Sequence, residues 1–203
     1  EILCIRVIGG KWRGRNITLP NNSVIRPTPN RVRETLFNWL QPNIVGANCL
    51  DLFAGSGVLG VESLSRGASY IKFVDMNQDY LRSIRKSLEL FGEEGSADFV
   101  CGDAMSSIGI GEDVFDIVFI DPPYHEDLLI PALETISNCK NVAKRALIYC
   151  EKHKKDNIMS RYAELIYNGY WYSKERFKLQ KIVDLKKNKV NGSVKIKLYK
   201  GNI

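Results

Sequence analysis

Four consecutive residues, Asp121-Pro122-Pro123-Tyr124, follow directly on the apolar run Phe115 to Ile120. The two prolines stiffen the backbone and remove its donors, which leaves the Pro122 carbonyl as an acceptor beside the Asp121 carboxylate. Side by side, these acceptors can take both hydrogens of one exocyclic amine. Tyr124 adds a flat face for a base drawn out of its stack. An aryl amine is a poor nucleophile because its lone pair is delocalised into the ring. Two acceptors that localise the lone pair make the nitrogen able to attack an electrophilic carbon. The plainer reading is a proline-stiffened turn. His125, next along, reads either as a proton acceptor or as a loop residue without a role.

A second constellation opens at Asp51-Leu52-Phe53-Ala54-Gly55-Ser56-Gly57-Val58-Leu59-Gly60-Val61-Glu62. Glycines 55, 57 and 60 satisfy the spacing of a nucleotide-binding turn, which lets a ligand approach the backbone at a helix N-terminus. A pyrophosphate wants amide donors and positive potential there. Here Asp51 precedes the turn and Glu62 enters the helix, which suits a ligand carrying a cationic amino group. S-adenosylmethionine (SAM), with its ammonium and sulfonium, fits these flanks better than NAD. Asp75, eighteen residues beyond Gly57, is placed to accept both hydroxyls of a ribose, with Met76 behind it. Gly102-Asp103-Ala104 sits at the same edge, where a backbone amide or the Asp103 carboxylate can meet an adenine. A turn-forming Asp is the alternative there. The expected cofactor set is therefore Asp51, Phe53, Ala54, Gly55, Ser56, Gly57, Glu62, Asp75, Met76, Asp103 and Ala104, with no metal.

Positioning these residues takes strands that end together. Asn48 to Phe53, Tyr70 to Val74, Asp98 to Cys101, Phe115 to Ile120 and Arg145 to Cys150 read as short apolar strands. Helices are expected between them: from the glycine turn to about Arg66, over Asn77 to Phe91 with Leu81, Ile84, Leu88 and Phe91 on one side, and over about 126–138. Strand–helix alternation with uninterrupted apolar strands predicts an α/β fold with a doubly wound, mostly parallel seven-stranded sheet. Lys178 to Leu185 and Ser193 to Tyr199 alternate instead and flank Asn191-Gly192, the signature of an antiparallel C-terminal hairpin. At the other end, Ile5 to Leu19 reads as a small basic β-hairpin around Gly9-Gly10. A helix is expected to start after Thr28-Pro29-Asn30, with Asn30 as its cap, and to end near Gln41-Pro42. The division expected is an N-terminal extension over 1–28 and a catalytic domain over 29–203.

The 203 residues carry a net charge of +6, unevenly spread. Residues 1–35 sum to +5, residues 36–150 to −8 and residues 151–203 to +9. An acidic middle between basic ends suggests a small-molecule site flanked by surfaces for a polyanion. For the tail, lysines guarding edge strands are an equal alternative. In the head, Lys11, Arg13 and Arg15 with Trp12 suit phosphate contact and stacking, unless Trp12 packs on the core. Arg31 and Arg33 reach either phosphate or a carboxylate partner, Glu34 or Glu62. At 44% hydrophobic and 26% charged, the composition excludes disordered and fibrous classes, and no run is long enough for a membrane span. Five cysteines without a CxxC pair, and only two histidines, argue against zinc, disulfides and a His-based triad. Free thiols, buried in a reducing cytoplasm, are expected.

Taken together, these residues resemble the class I SAM-dependent N-methyltransferases. The similarity is closer to the RsmD-like family of bacterial 16S ribosomal RNA guanine-N2 methyltransferases. It covers most of residues 5–150 and rests on Arg6-Val7-Ile8-Gly9-Gly10-Lys11-Trp12-Arg13-Gly14-Arg15, on Arg26-Pro27-Thr28 and on Arg31-Val32-Arg33-Glu34-Thr35-Leu36-Phe37-Asn38-Trp39-Leu40. The glycine loop and the Asp-Pro-Pro-Tyr motif mark the wider class. Asn30 stands where the family usually has Asp, and the tail beyond about 155 matches weakly. The resemblance implies methyl transfer to the N2 amine of one guanine in 16S rRNA, free or within the small-subunit particle. Asp121, Pro122 and Tyr124 would be catalytic, in a cytoplasmic monomer. Read from the residues alone, guanine is not separated from adenine or cytosine. A DNA amino-methyltransferase, an RNA-binding module with a vestigial SAM site and a NAD oxidoreductase therefore stand as alternatives.

Overall fold

The apolar runs fold as the alternation predicts. The computed structural model describes residues 3–21, 23–25, 27–93, 95–123, 128–150, 177–184 and 195–201. Strands β1 (Cys4–Arg6) and β2 (Asn16–Thr18) pair antiparallel as a two-stranded sheet, joined through a 3₁₀ turn at Gly10–Trp12. Helix α1 (Asn30–Ile44) leads into β3 (Asn48–Asp51), α2 (Val58–Ser65), β4 (Tyr70–Asp75), α3 (Gln78–Leu90) and β5 (Ala97–Cys101). The short α4 (Ala104–Ser107), β6 (Phe115–Ile120), α5 (Leu129–Asn138) and β7 (Val142–Cys150) follow, and β8 (Phe177–Asp184) and β9 (Lys195–Gly201) complete the sheet.

The seven strands lie in the order β5-β4-β3-β6-β7-β9-β8. The first five run parallel, while β9 pairs antiparallel with both β7 and β8. Chain order therefore reverses between β3 and β6: β4 and β5 build outward on one side, β7 on the other. The sheet also divides the core. On one face Phe37, Leu40, Val61, Leu64, Phe73, Ile84 and Leu88 pack with the hairpin's Ile5, Val7, Trp12, Ile17 and Leu19. On the other, Leu50, Leu52, Val74, Val118 and Ile120 pack with Ala132, Leu133 and Ile136 of α5. Alternate residues of one strand point to opposite faces, so Cys49 joins the first cluster and Leu50 the second.

Three local expectations change. Pro29, in extended conformation, occupies the N-cap of α1, and Asn30 is its first helical residue. The helix also runs through Pro42 to Ile44, where the missing N–H and the ring's crowding of the preceding turn disturb only the last turn of the helix. Among the cysteines, none forms a disulfide, but only Cys49 and Cys150 are buried, whereas Cys4 and Cys101 are exposed. Burial pushes the Cys49 thiol far above its ordinary value.

Gly60 shows how tightly α2 lies on the sheet. A Cβ placed there would come within 2.3 Å of the Phe73 ring and 2.9 Å of Ile71, so the helix needs a glycine at the contact. Overpacking of this kind costs about 1–3 kcal/mol. Gly60→Ala should therefore lower the unfolding midpoint by several degrees, at about 2–4 °C per kcal/mol for a chain of this size. Thermal unfolding followed by circular dichroism checks this, and an unchanged midpoint would contradict the packing account.

Candidate active site

Where strand order reverses in an open α/β sheet, the helices after the two central strands leave to opposite faces and a crevice opens at the strand ends. Here α2 follows β3 onto one face and α5 follows β6 onto the other. The register sets Asp51 opposite Phe119, and Leu52 N donates to Phe119 O at 3.0 Å. The glycine loop after β3 and the Asp121-Pro122 corner after β6 thus flank one crevice. A cleft of about 1040 Å³ occupies it, lined by Asp51, Phe53, Ala54, Gly55, Ser56, Asp75, Met76, Asp103, Ala104, Asp121 and Pro122. These are the expected cofactor residues without Gly57 and Glu62, joined by two of the three expected catalytic ones. Tyr124 and His125 lie outside the described residues.

The loop is held open by its own backbone. Gly57 adopts φ +70°, and a Cβ there would meet Ile84 at 2.5 Å, so the turn closes against α3 without a side chain. Asp75 ties β4 to this loop: its Oδ2 accepts Gly55 N at 2.7 Å and its Oδ1 accepts Asn77 N at 2.8 Å. Each carboxylate oxygen has two lone pairs, so both retain capacity for a ribose hydroxyl. Asn77 caps α3 by accepting Asp79 N at 2.9 Å. Asp103 caps α4 in the same way, its Oδ2 accepting the Ser106 amide and hydroxyl, each at 2.9 Å. Those bonds, the amide's first, hold its carboxyl below the usual range. Asp51 is buried at the floor and Asp121 is half-buried at the rim. Four acids, Asp51, Asp75, Asp103 and Asp121, and no base among the residues lining the cleft suit a ligand with a cationic group. Among the described residues, no cluster of three or more His, Cys, Asp or Glu is placed to hold a metal.

Three expected site residues serve other ends. Glu62 is fully buried on α2 and does not line the cleft. It accepts Ile8 N at 3.0 Å, Arg33 Nη1 at 3.2 Å and Arg66 Nε at 3.0 Å. Arg33, also fully buried, is therefore no phosphate contact. Burial pulls its guanidinium below the ordinary value, and Glu62 works in the opposite direction. Trp12 is 5% exposed and packs on Phe91 with ring centroids 5.3 Å apart, so its ring is not offered for stacking. Lys11 pairs with Glu93 at 2.6 Å and lies over Trp12, while Arg15 covers Phe91 at 4.8 Å. Arg13, Arg15 and Arg31 are exposed.

The cleft also has a wall that the motifs did not point to. Val24, Ile25, Pro27 and Thr28 line it opposite the glycine loop, with Tyr80 and Leu128 completing the rim. A Cβ on Gly55 would be 3.4 Å from Ile25, so the wall stands close. In the sequence, its trace is Arg26-Pro27-Thr28, one of the segments that carry the family resemblance, within a run punctuated by Pro20, Pro27 and Pro29.

The match to the family model described as Conserved hypothetical protein 95 runs over residues 5–170. The chain belongs to that family. It is 42% identical over 154 residues to Ribosomal RNA small subunit methyltransferase D of Escherichia coli, a match covering 76% of this chain and 77% of that protein. The solved structure of a putative methyltransferase, yhhF, from Escherichia coli superposes with a TM-score of 0.75 at 36% identity, over 98% of this chain and 99% of that one. A putative methyltransferase, SMU.776, complexed with SAH shares the fold, with a TM-score of 0.65 at 17% identity over 83% of this chain and 49% of that one. A stretch of 51 residues, 25% of this chain, is 90% identical to argininosuccinate synthase of Pelagibacter ubique and covers 13% of that enzyme.

The buried charge at Glu62 makes a test of its structural role direct. Removing one partner of a buried ion pair costs about 3–5 kcal/mol. Glu62→Gln should lower the unfolding midpoint by roughly 10 °C or more, measured by calorimetry. A variant as stable as the parent would return Glu62 to the pool of candidate ligand contacts.

Proposed function

We propose that the chain transfers a methyl group from SAM to the exocyclic N2 amine of a guanine in small-subunit ribosomal RNA. The observation that carries this reading is the placing of Asp121 and Pro122 across one crevice from the Gly55–Gly57 loop and Asp75. A donor with a nucleoside half on Asp75 and an amino-acid half toward Asp51 would present its methyl group to an amine held at Asp121. Family membership, relatives named as rRNA methyltransferases and a protein of the same fold complexed with SAH support the reading. Asp121 and the Pro122 carbonyl are assigned to the target amine, and Tyr124 to the plane of the base. As the nitrogen attacks, its lone pair leaves the ring and its hydrogens become more acidic. Acceptors at that point therefore act mainly on the transition state. The product ammonium then loses its proton to Asp121 or to water.

The RNA surface is assigned to the head, on Arg13, Arg15 and Arg31. Residues 5–150 carry every methyltransferase motif named above. Outside them only residues 151–203 have room for a 51-residue match at 90% identity. A 51-residue match within that stretch starts no later than residue 153, so it overlaps the end of the family model's match at residue 170. We assign the last part of the chain to a segment of argininosuccinate-synthase type joined to the methyltransferase unit, and its lysines take no part in docking RNA.

Three outcomes test these assignments. Asp75→Ala should lose charge-assisted hydrogen bonds worth about 1.5–3 kcal/mol, so that SAM affinity measured by calorimetry falls by about one to two decades. Unchanged affinity would remove Asp75 from the ribose. Asp121→Ala should bind SAM as the parent does and lose transfer of labelled methyl to rRNA by on the order of 10²-fold or more, with full activity counting against the site. For the surface, replacing Arg13, Arg15 and Arg31 with Gln should flatten the log–log salt dependence of rRNA binding by about one unit per lost phosphate contact. The same treatment of Lys195, Lys197 and Lys200 should leave the slope alone. The reverse pattern would move docking to the tail.

A further inference from the structure

A buried polar relay joins the N-terminal hairpin to the wall of the cleft, and the reaction assigned above does not use it. Arg33 is its hub. Besides the bond to Glu62, its Nη2 donates to Arg6 O at 3.0 Å and to Asn30 Oδ1, and its Nε donates to Thr28 O at 3.2 Å. Through Glu62 the same network reaches Ile8 N in the hairpin and Arg66 at the end of α2. One guanidinium therefore binds β1, the start of α1, α2 and the segment before α1. The described residues of that last segment, 20–21, 23–25 and 27–28, lie in no helix or strand, so side chains must fix them. The segment is also the part of the cleft wall that stands against the glycine loop.

Stability alone does not call for this arrangement. Taking a guanidinium and a carboxylate out of water costs about as much as their attraction returns, and packed apolar groups often do as well. What an apolar side chain cannot do is hold four acceptors, Glu62, Arg6 O, Asn30 Oδ1 and Thr28 O, at fixed angles, which the planar fork of an arginine can. One of those acceptors, Thr28 O, belongs to a residue lining the cleft.

We propose that Arg33 is a positioning residue for the cofactor, holding the 24–28 wall against the glycine loop, so that the RNA-facing hairpin and the cofactor cleft form one rigid unit. This rests on the assignment of the cleft to SAM. Arg33 touches no reacting atom; it acts through Thr28 and its neighbours Ile25 and Pro27. A loosened wall would raise the KM for SAM with little change in kcat, because the amine-holding corner lies after β6, across the crevice.

The test compares two full-length variants. Arg33→Lys keeps a cation beside Glu62 and cannot reach all the acceptors at once. Ser65→Ala removes the Oγ that donates to Gly9 O and accepts Trp12 N at 2.9 Å, loosening the hairpin from α2 far from Thr28. Calorimetry with S-adenosylhomocysteine, thermal unfolding and hydrogen exchange over residues 23–28 are read on both. Arg33→Lys should weaken binding about tenfold, the scale of one lost charge-assisted hydrogen bond, and lower protection over 23–28. Ser65→Ala should lower the unfolding midpoint and bind as the parent does. Should Arg33→Lys not fold, Asn30→Ala takes one acceptor from the guanidinium and should give the same pattern, weakened. Unchanged binding in Arg33→Lys despite a lower midpoint, or equal loss in Ser65→Ala, overturns the proposal. If the parent itself does not bind S-adenosylhomocysteine, the SAM assignment fails. Exchange over 23–28 then decides the tie alone, and unchanged protection in Arg33→Lys overturns it.

Discussion

Parallel strands joined by right-handed crossovers force the helices on either side of a reversal in strand order onto opposite faces of the sheet. In this chain the reversal lies between β3 and β6, and among the described residues Asp51, at the end of β3, and Asp121, just after β6, line the cleft. Everything at the cleft follows from that reversal. The glycine loop leaves β3 there, and Asp121-Pro122 leaves β6 beside it. Asp75, at the end of the next strand, reaches across to the loop amide of Gly55. In the proposed reading, the same carboxylate that shapes the loop would also meet a ribose, which would couple the local fold to ligand recognition without any further group.

The second organising element is electrostatic and lies beneath the surface. Glu62 gathers a backbone amide and two arginines at one buried point. The hairpin thereby becomes part of the main body rather than an arm beside it. Trp12 on Phe91 and Ser87 Oγ accepting Thr18 N at 3.3 Å fasten its other end to α3. The cations left outside, Arg13, Arg15 and Arg31, therefore project from a rigid base. Exposed charges fixed on a firm support suit a polyanion whose own shape is set, as in folded RNA.

Much of this was legible in the sequence, for identifiable reasons. Strands such as Phe115–Ile120 announce themselves because a sheet covered on both faces needs unbroken apolar runs. Glycines at 55, 57 and 60 do so because a turn, a close helix and a close strand each exclude a side chain. Glu62 misled because a carboxylate near a glycine loop reads the same whether it points into the cleft or back into the protein. Only the packing of α1 and the hairpin decides. Trp12 misled for a related reason: beside lysine and arginine an aromatic ring reads as a stacking platform, and Phe91, nearly eighty positions away in the chain, is what buries it. The wall at 24–28 left little trace beyond Arg26-Pro27-Thr28, since irregular segments carry no periodicity. At the far end, alternating Lys178 to Leu185 and Ser193 to Tyr199 around Asn191-Gly192 matched a hairpin. That pattern can complete a sheet edge whatever the descent of the segment.

The central claim is that the corner at Asp121 presents the N2 amine of a guanine to a methyl donor on the glycine loop. Mass spectrometry of nucleosides addresses it most directly, after small-subunit rRNA has been incubated with the protein and isotopically labelled SAM. The account predicts label in N2-methylguanosine; label in a methylated adenosine or cytidine, or none in the RNA, would contradict it.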